Sequence, residues 1–272
     1  MIEWLCEPFR YSFVSSALLA SCVIGVTCAV LGVYVVLRRM ANIGHALTHS
    51  ALPGLVIAYL LGGNLFAGAA IATMLTAFGI GFISKNKEVY EDTAIGIIPT
   101  AMFAFGILLM SKAKSFRDLS SMLFGNILGV GRDDLIMIIS IGLIVLGVMA
   151  LFYKEFELFS VDPDYARTIG IPLEQLRYAL LVLLALTVVA GIQAVGTVLT
   201  NALLIAPAAA ARLLTNRFQN MVMIAAGIAV VSSFSGIYLS YYFGLSSGAA
   251  IVFVCTLAFA VCWAIKRVRT SS

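Results

Sequence analysis

Residues 38–62 read RRMANIGHALTHSALPGLVIAYLLG. The pattern of this stretch, basic residues beside a long apolar run, recurs along the chain. Two arginines come first, and an apolar run over about 46–63 follows them. A helix needs about 20 predominantly apolar residues to cross the hydrocarbon layer of a bilayer. The stretch therefore predicts a membrane-spanning helix that begins at a positively charged end.

The composition of the whole chain is that of such helices. Of the 272 residues, 62% are hydrophobic and 11% are charged, and the mean hydropathy is +1.06. Soluble domains have about 25% charged residues, and a core of this size would leave much of the apolar surface in water. We therefore expect one all-α membrane domain over 1–272. The net charge of +4, without a basic run, gives no reason to expect a nucleic-acid partner.

Nine apolar runs are long enough to cross a membrane, which predicts a polytopic helical bundle. They lie at about 12–37, 46–63, 65–84, 93–111, 134–153, 178–194, 196–211, 219–243 and 246–265. The sixth and seventh runs are interrupted by Gly191 and Gly196. Basic residues concentrate on the cytoplasmic side, and twelve of the 17 Lys and Arg residues lie there if the C-terminus does. The sequence thus predicts an external N-terminus and a cytoplasmic C-terminus.

One further apolar segment, LSSMLFGNILGVG at 119–131, is too short for an ordinary crossing. A full crossing there would move the basic loop 153–177 to the outside, against the charge distribution. We expect a re-entrant or interfacial segment, with a tenth crossing as the alternative.

The only two histidines of the chain, His45 and His49, lie within the second apolar run and its start. Residues four apart share a helical face, and two imidazoles there suit Zn²⁺, Mn²⁺ or Fe²⁺. An ionisable group at membrane depth is costly and so indicates function. Pro53 removes the helical partner of the His49 carbonyl, as in the broken helices of transporters. The alternative is a pair of hydrogen-bonded histidines with a packing role.

Two other classes of function fit the residues less well. A membrane metalloprotease needs a Glu beside the first His, where this chain has Ala46. A secondary metal carrier usually has carboxylates in its spans, and all thirteen acidic residues lie in loops or at span ends. The chain also lacks the phosphate-binding loop of ATPases, so ATP would be bound by another subunit.

A short helix is predicted in the longest loop on the cytoplasmic side, FSVDPDYARTIGIPL at 159–173. Asp162, Pro163 and Asp164 are typical of a helix start, and Gly170 and Pro172 of its end. Such a helix suits docking by another protein, although an idle surface helix has the same pattern.

Three stretches resemble the permeases of manganese, zinc and iron ABC importers. They are 38–62, SVDPDYARTIGIPLEQLRYALLVLLALTVV at 160–189 and QAVGTVLTNALLIAPAAAARLLTNR at 193–217, and the likeness follows the chain in order. The resemblance implies a multi-pass protein of the bacterial cytoplasmic membrane, with the fold of type II importers. It is not itself an enzyme and has no resident cofactor.

The resemblance also implies partners and roles. Two copies form the pathway, two cytoplasmic ATP-binding subunits dock below, and an extracytoplasmic metal-binding protein delivers the ion. The loop helix becomes the coupling helix, with the ATPase interface at Asp162, Pro163, Asp164, Ala166, Gly170 and Pro172.

The sequence departs from the family at two positions. The family usually reads G-D-A-x-x-H, with the Asp and His as pathway ligands, and His45 replaces the Asp while His49 matches the His. A nitrogen ligand thus replaces a hard anionic oxygen, which leaves the choice among manganese, zinc and iron open. The second departure is Asn201, in a stretch that is usually apolar. We expect a helix–helix hydrogen bond from it, or a supporting role behind a ligand.

Overall fold

The computed structural model describes residues 12–85, 90–111 and 129–271. In these ranges it contains twelve helices and no strand. They are α1 Ser12–Leu37, α2 Ile43–Ser50, α3 Leu52–Leu60, α4 Leu65–Ile83, α5 Glu91–Met110, α6 Arg132–Leu151, α7 Tyr153–Val161, α8 Pro163–Thr168, α9 Leu173–Val195, α10 Thr197–Leu214, α11 Phe218–Phe243 and α12 Ser247–Ser271.

Nine stretches of helix in the described ranges are long and apolar enough to cross a membrane. The expected all-α bundle of nine spans is therefore confirmed, with ends that differ from the predicted ones by a few residues. Helices α2 and α3 together make the second span, Ile43–Leu60, which is interrupted only at Ala51. Most of the 119–131 segment lies outside the described residues, so its re-entrant course stays a prediction.

Helices α1 and α9 form the centre of the bundle. Helix α1 packs against α10 and α11, and also against α6 and α9. Helix α9 packs in addition against α4. Helices α2 to α5 form a cluster on one flank, and α10 to α12 form a cluster on the other. Helix α2 contacts both α9 and α10, so the two histidines lie where the clusters meet.

The charged side chains gather where odd-numbered spans end and even-numbered spans begin, which we call the basic end. There Arg38 pairs with Glu91 at 3.3 Å, Lys85 pairs with Glu174 at 3.1 Å, and Arg177 donates to the Gly81 carbonyl. These basic residues are among those that the sequence assigns to the cytoplasmic side. Which side of the membrane this end faces stays a prediction from the charge distribution.

The join between the sixth and seventh spans is a single residue, Gly196. Its backbone has φ 88° and ψ 168°, a region that is essentially restricted to glycine. Gly191, which the sequence suggested as a second break, lies inside α9 and is buried. The apolar run therefore ends at one of the two glycines only, because only Gly196 adopts a conformation that reverses the chain.

We expect Gly196→Ala to lower the free energy of unfolding by about 1–3 kcal/mol, because a Cβ is strained at this φ and ψ. Gly147→Ala is the matched control, since Gly147 has ordinary helical φ and no neighbour where its Cβ would lie. Thermal unfolding of the purified chain in detergent measures both. Equal melting temperatures for the two variants would contradict this account of the turn.

Candidate functional site

The two histidines lie on the same face of α2, as their spacing predicts. Their ring centroids are 5.1 Å apart, with 63° between the ring planes. The opposite face of α2 is buried, with Ile43 and Leu47 completely covered by the bundle. Both histidines are exposed in the single chain, within the second of the nine apolar spans.

The break that follows His49 is smaller than a sharp kink. Ala51 keeps helical backbone angles, so the chain continues from α2 into α3 without a reversal. Pro53 then stands in the first turn of α3, where a missing N–H costs nothing. Pro53 supplies no N–H to the His49 carbonyl, as the sequence predicts, and the two imidazoles are the candidate donors on the exposed face of this helix.

Each imidazole is held by a neighbouring helix. The His49 ring packs edge-on against Phe103 of α5, with centroids 4.9 Å apart. The Asn201 side-chain nitrogen lies 3.0 Å from His45 Nδ1 and 3.3 Å from Thr48 Oγ1. Asn201 thus makes the helix–helix hydrogen bond that the sequence suggested, and its partner is the candidate ligand itself. The two departures from the family pattern are therefore in direct contact.

A close approach of α10 to α2 makes this contact possible. A Cβ on Gly44 would stand 2.6 Å from the Leu204 side chain and 2.8 Å from Asn201 Oδ1, so only glycine fits there. Sequence reasoning identified Asn201 as unusual but had no means of pairing it with His45. Phe103 has no signal in the sequence, because an aromatic residue in an apolar span is ordinary.

A groove of about 430 Å³ opens beside His45, between α2, α10 and α12. Its lining combines His45, Asn42 and Asn201 with small and apolar side chains such as Ala206 and Phe259. Among the described residues no group of three or more His, Cys, Asp and Glu side chains comes together. The candidate donors in the described part of one chain are therefore the two imidazoles, without a third His, Cys, Asp or Glu side chain beside them.

A second and larger cavity, of about 860 Å³, lies at the end of the bundle opposite the basic end. Asp133, Asp134, Asn64 and Gln193 are its polar lining residues. Asp134 caps its own helix by accepting a hydrogen bond from the Gly131 N–H. The cavity shares no lining residue with the groove beside His45.

The predicted loop helix is present as α8, and its ends are those that the sequence indicated. The Asp162 side chain accepts from the Tyr165 N–H, Pro163 is the first helical residue, and Gly170 ends the segment at φ 83°. Ala166 is fully buried and anchors the helix, whereas Asp164, Tyr165 and Arg167 are exposed. Pro172 directly precedes α9. A contact between this segment and an ATPase stays a prediction.

Arg38, just before the histidine helix, contacts α7, the helix that precedes the loop helix. Its guanidinium donates to the Phe159 carbonyl at 3.3 Å, lies 4.0 Å over the Phe159 ring, and pairs with Glu91. Phe159 is in α7 just before the loop helix, Glu91 begins the helix that carries Phe103, and Arg38 itself precedes α2. One side chain therefore joins α7 to the start of α5.

Three comparisons with known proteins agree on the family and the fold of the chain. The ABC 3 transport family matches residues 10–266. The manganese transport system membrane protein MntC of Listeria monocytogenes is 45% identical, over 92% of this chain and 89% of the relative. The chelated iron transport system membrane protein YfeD of Yersinia pestis is 40% identical, over 96% and 88%.

The fold is also that of a solved membrane complex. PsaBC from Streptococcus pneumoniae, solved in complex with a Fab, contains a chain that superposes with a TM-score of 0.84. The two chains are 34% identical, and the match covers 97% of this chain and 95% of that one.

We expect Arg38→Met and Glu91→Met each to lower the free energy of unfolding by about 2 kcal/mol, because each leaves a half-buried charge unpaired. The double variant should lose less than the sum of the two, since no unpaired charge remains in it. Thermal unfolding in detergent of the wild type, the two single variants and the double variant measures this double-mutant cycle. Additive losses would show that the pair does not couple its two helices.

Proposed function

Since the chain belongs to the ABC 3 transport family of permeases, we propose that two copies of it form the pathway of an ATP-driven metal-ion importer. The observation that carries this proposal is the exposed pair of imidazoles on an otherwise apolar surface. Polar groups that face lipid are costly and are usually covered by protein or line a water-filled path. A second copy packed on this face would cover His45, His49 and Asn42 and enclose a path between the chains.

The cargo that fits is a divalent transition metal. Two imidazoles from each copy would bring up to four nitrogen donors to the path between the copies, and imidazole is a ligand for borderline divalent ions. The relatives are named for manganese and for iron, which favours these ions, and zinc is the third candidate from the ligand type. Binding has to be weak enough for release, because a pathway that holds its ion tightly does not conduct.

The loop helix α8 is the proposed contact with the ATPase. It projects from the basic end with all its side chains exposed except Ala166, and it is stiffened by the cap at Asp162. Two ATP-binding subunits on this end would push on the two loop helices. Through Phe159 and Arg38, that movement reaches the start of the histidine helix and the start of α5.

The direction of transport follows from the proposed orientation. With the basic end in the bacterial cytoplasm, the groove and the histidines receive ions delivered at the opposite end by an extracytoplasmic metal-binding protein. His49 and His45 hold the ion briefly, and movement of the loop helices opens the cytoplasmic side.

A secondary carrier would use the same histidines without an ATPase. The absence of acidic side chains within the described spans, apart from their first turns, speaks against it, because gradient-coupled carriers usually have such groups there. An intramembrane metalloenzyme fits less well than a secondary carrier, because it needs a general base beside the imidazoles and Ala46 stands there.

We expect ATP-dependent uptake of radioactive Mn²⁺ or Fe²⁺ by proteoliposomes that contain this chain with its ATP-binding subunit. In His49→Ala, uptake should fall at least about tenfold, the change that 1.4 kcal/mol of lost ion stabilisation produces. Ser50→Ala is the matched control, since Ser50 is buried in the same helix and its hydroxyl bonds to the Leu47 carbonyl. Competition by unlabelled Zn²⁺ ranks the three metals.

Two results would contradict the proposal. Uptake that needs no ATP and stops when ion gradients are dissipated would favour the secondary carrier. Wild-type uptake in His49→Ala would return the histidines to a packing role.

Tyr165→Ala tests the loop helix, because Tyr165 is 55% exposed at its centre. We expect metal-stimulated ATP hydrolysis by the assembled complex to fall at least about tenfold, since a contact at the centre of an interface carries much of the binding energy. Melting temperature of the permease alone should not change. Tyr90→Ala, at the same end and 81% exposed, is the control. Equal hydrolysis in the two variants would place the ATPase contact elsewhere.

A further inference from the structure

Asn201 is the buried polar side chain that faces the candidate ligand His45. It lies on α10, is 8% exposed, and directs its Nδ2 at His45 Nδ1 and at Thr48 Oγ1. Its Oδ1 is buried without a hydrogen-bond partner. A buried polar atom that lacks a partner is rare and calls for an explanation.

The hydroxyl of Thr48 determines which way the amide faces. Thr48 Oγ1 donates its one proton to the Gly44 carbonyl at 2.8 Å, so towards Asn201 it can only accept. The amide group that faces Thr48 and His45 is therefore the NH₂ group. His45 Nδ1 accepts from it, which places the proton of the neutral ring on Nε2.

In this arrangement His45 has no lone pair free for a cation. Nδ1 is occupied by the amide, and Nε2 carries the proton. A histidine that binds a metal through Nε2 instead donates its Nδ1–H to an oxygen, which holds the ring in the ligating tautomer. Asn201 has such an oxygen, and it is the atom that lacks a partner.

We propose that Asn201 is a positioning residue that switches His45 between a non-ligating and a ligating tautomer by a half-turn of its amide. The turn brings Oδ1 to His45 Nδ1–H and takes Nδ2 to the site that lacks a partner. The orientation shown is favoured without metal, because the turned amide leaves its NH₂ group unpaired and requires the Thr48 hydroxyl to redirect its proton from the Gly44 carbonyl to Oδ1. A cation that binds His45 Nε2 supplies the free energy that selects the turned orientation.

The exchange conserves protons and charge. The ring releases the Nε2 proton to water in the groove and takes one up at Nδ1, and no group changes its net charge. His45 can thus accept and release an ion through the orientation of a neutral amide. This inference rests on the proposed function, because it concerns how His45 meets the transported metal.

Ring-¹⁵N histidine NMR of the full chain in lipid nanodiscs tests the switch directly. The chain has two histidines, so the spectrum contains two rings, and His49→Gln assigns them. Without metal we expect His45 to have a bare Nδ1 and a protonated Nε2. Zn²⁺, which is diamagnetic, should convert it to a protonated Nδ1 and a metal-bound Nε2.

Two variants show whether Asn201 is the cause. Asn201→Leu removes the donor and should release the ring to a mixture of tautomers without metal. Asn201→Asp presents only oxygens and should protonate Nδ1 before metal is added. Thr187→Val is the control, because this buried hydroxyl bonds only within α9 and should leave both rings unchanged.

Transport kinetics separate positioning from a purely structural role. In the assembled complex, Asn201→Asp should lower the KM for the metal by about tenfold, the size of effect that supporting partners of ligands have, and lower kcat as release slows. A structural defect would lower kcat without a lower KM.

A protonated Nδ1 in the metal-free wild-type chain, or a His45 ring that is the same in wild type and Asn201→Leu, would overturn the switch. A His45 ring that behaves as expected without metal but ignores Zn²⁺, together with uptake that survives His49→Ala, would instead overturn the proposed function. The two failures are therefore distinguishable.

Discussion

Hydrocarbon offers no hydrogen-bond partner, and this constraint explains where nearly every polar group of the chain lies. Hydroxyls in the described spans, such as those of Thr73, Thr76 and Thr187, donate to carbonyls of their own helices. In the described residues, charged side chains are found at span ends, where Arg38 pairs with Glu91 and Arg177 donates to helix carbonyls. Against this background, two exposed imidazoles in an apolar span need a specific reason, which the proposed path for an ion between two chains would supply.

The same constraint explains why several elements at the basic end are joined by one partly buried side chain. Arg38 is mostly removed from solvent and spends its donors on Glu91 and on the Phe159 carbonyl, because no lipid atom can take their place. Helix α7, the start of α5 and the turn before α2 are thereby joined through one guanidinium. In the proposed importer, a movement of α8 would reach the helix that carries His45 and His49 through α7 and Arg38.

At the histidines, the chemistry depends on neighbours as much as on ligands. A carboxylate in place of His45 would be ready to accept a cation at all times. An imidazole has to present the correct nitrogen, and Asn201 controls which nitrogen that is. His45 and Asn201, the two positions at which the sequence predicts a departure from the family pattern, are in contact.

The sequence by itself determined the nine spans, the cap and end of the loop helix and the shared face of the histidines. Each depends on local features: the length of an apolar run, the preferences of Asp, Pro and Gly at helix ends, and 3.6 residues per turn. Only the tertiary structure decided that Gly196 and not Gly191 reverses the chain, that Phe103 packs on His49, and that Asn201 reaches His45. Those contacts join residues that are far apart in the chain. The spans are apolar on most faces, so the sequence does not show which face of a helix packs against which neighbour.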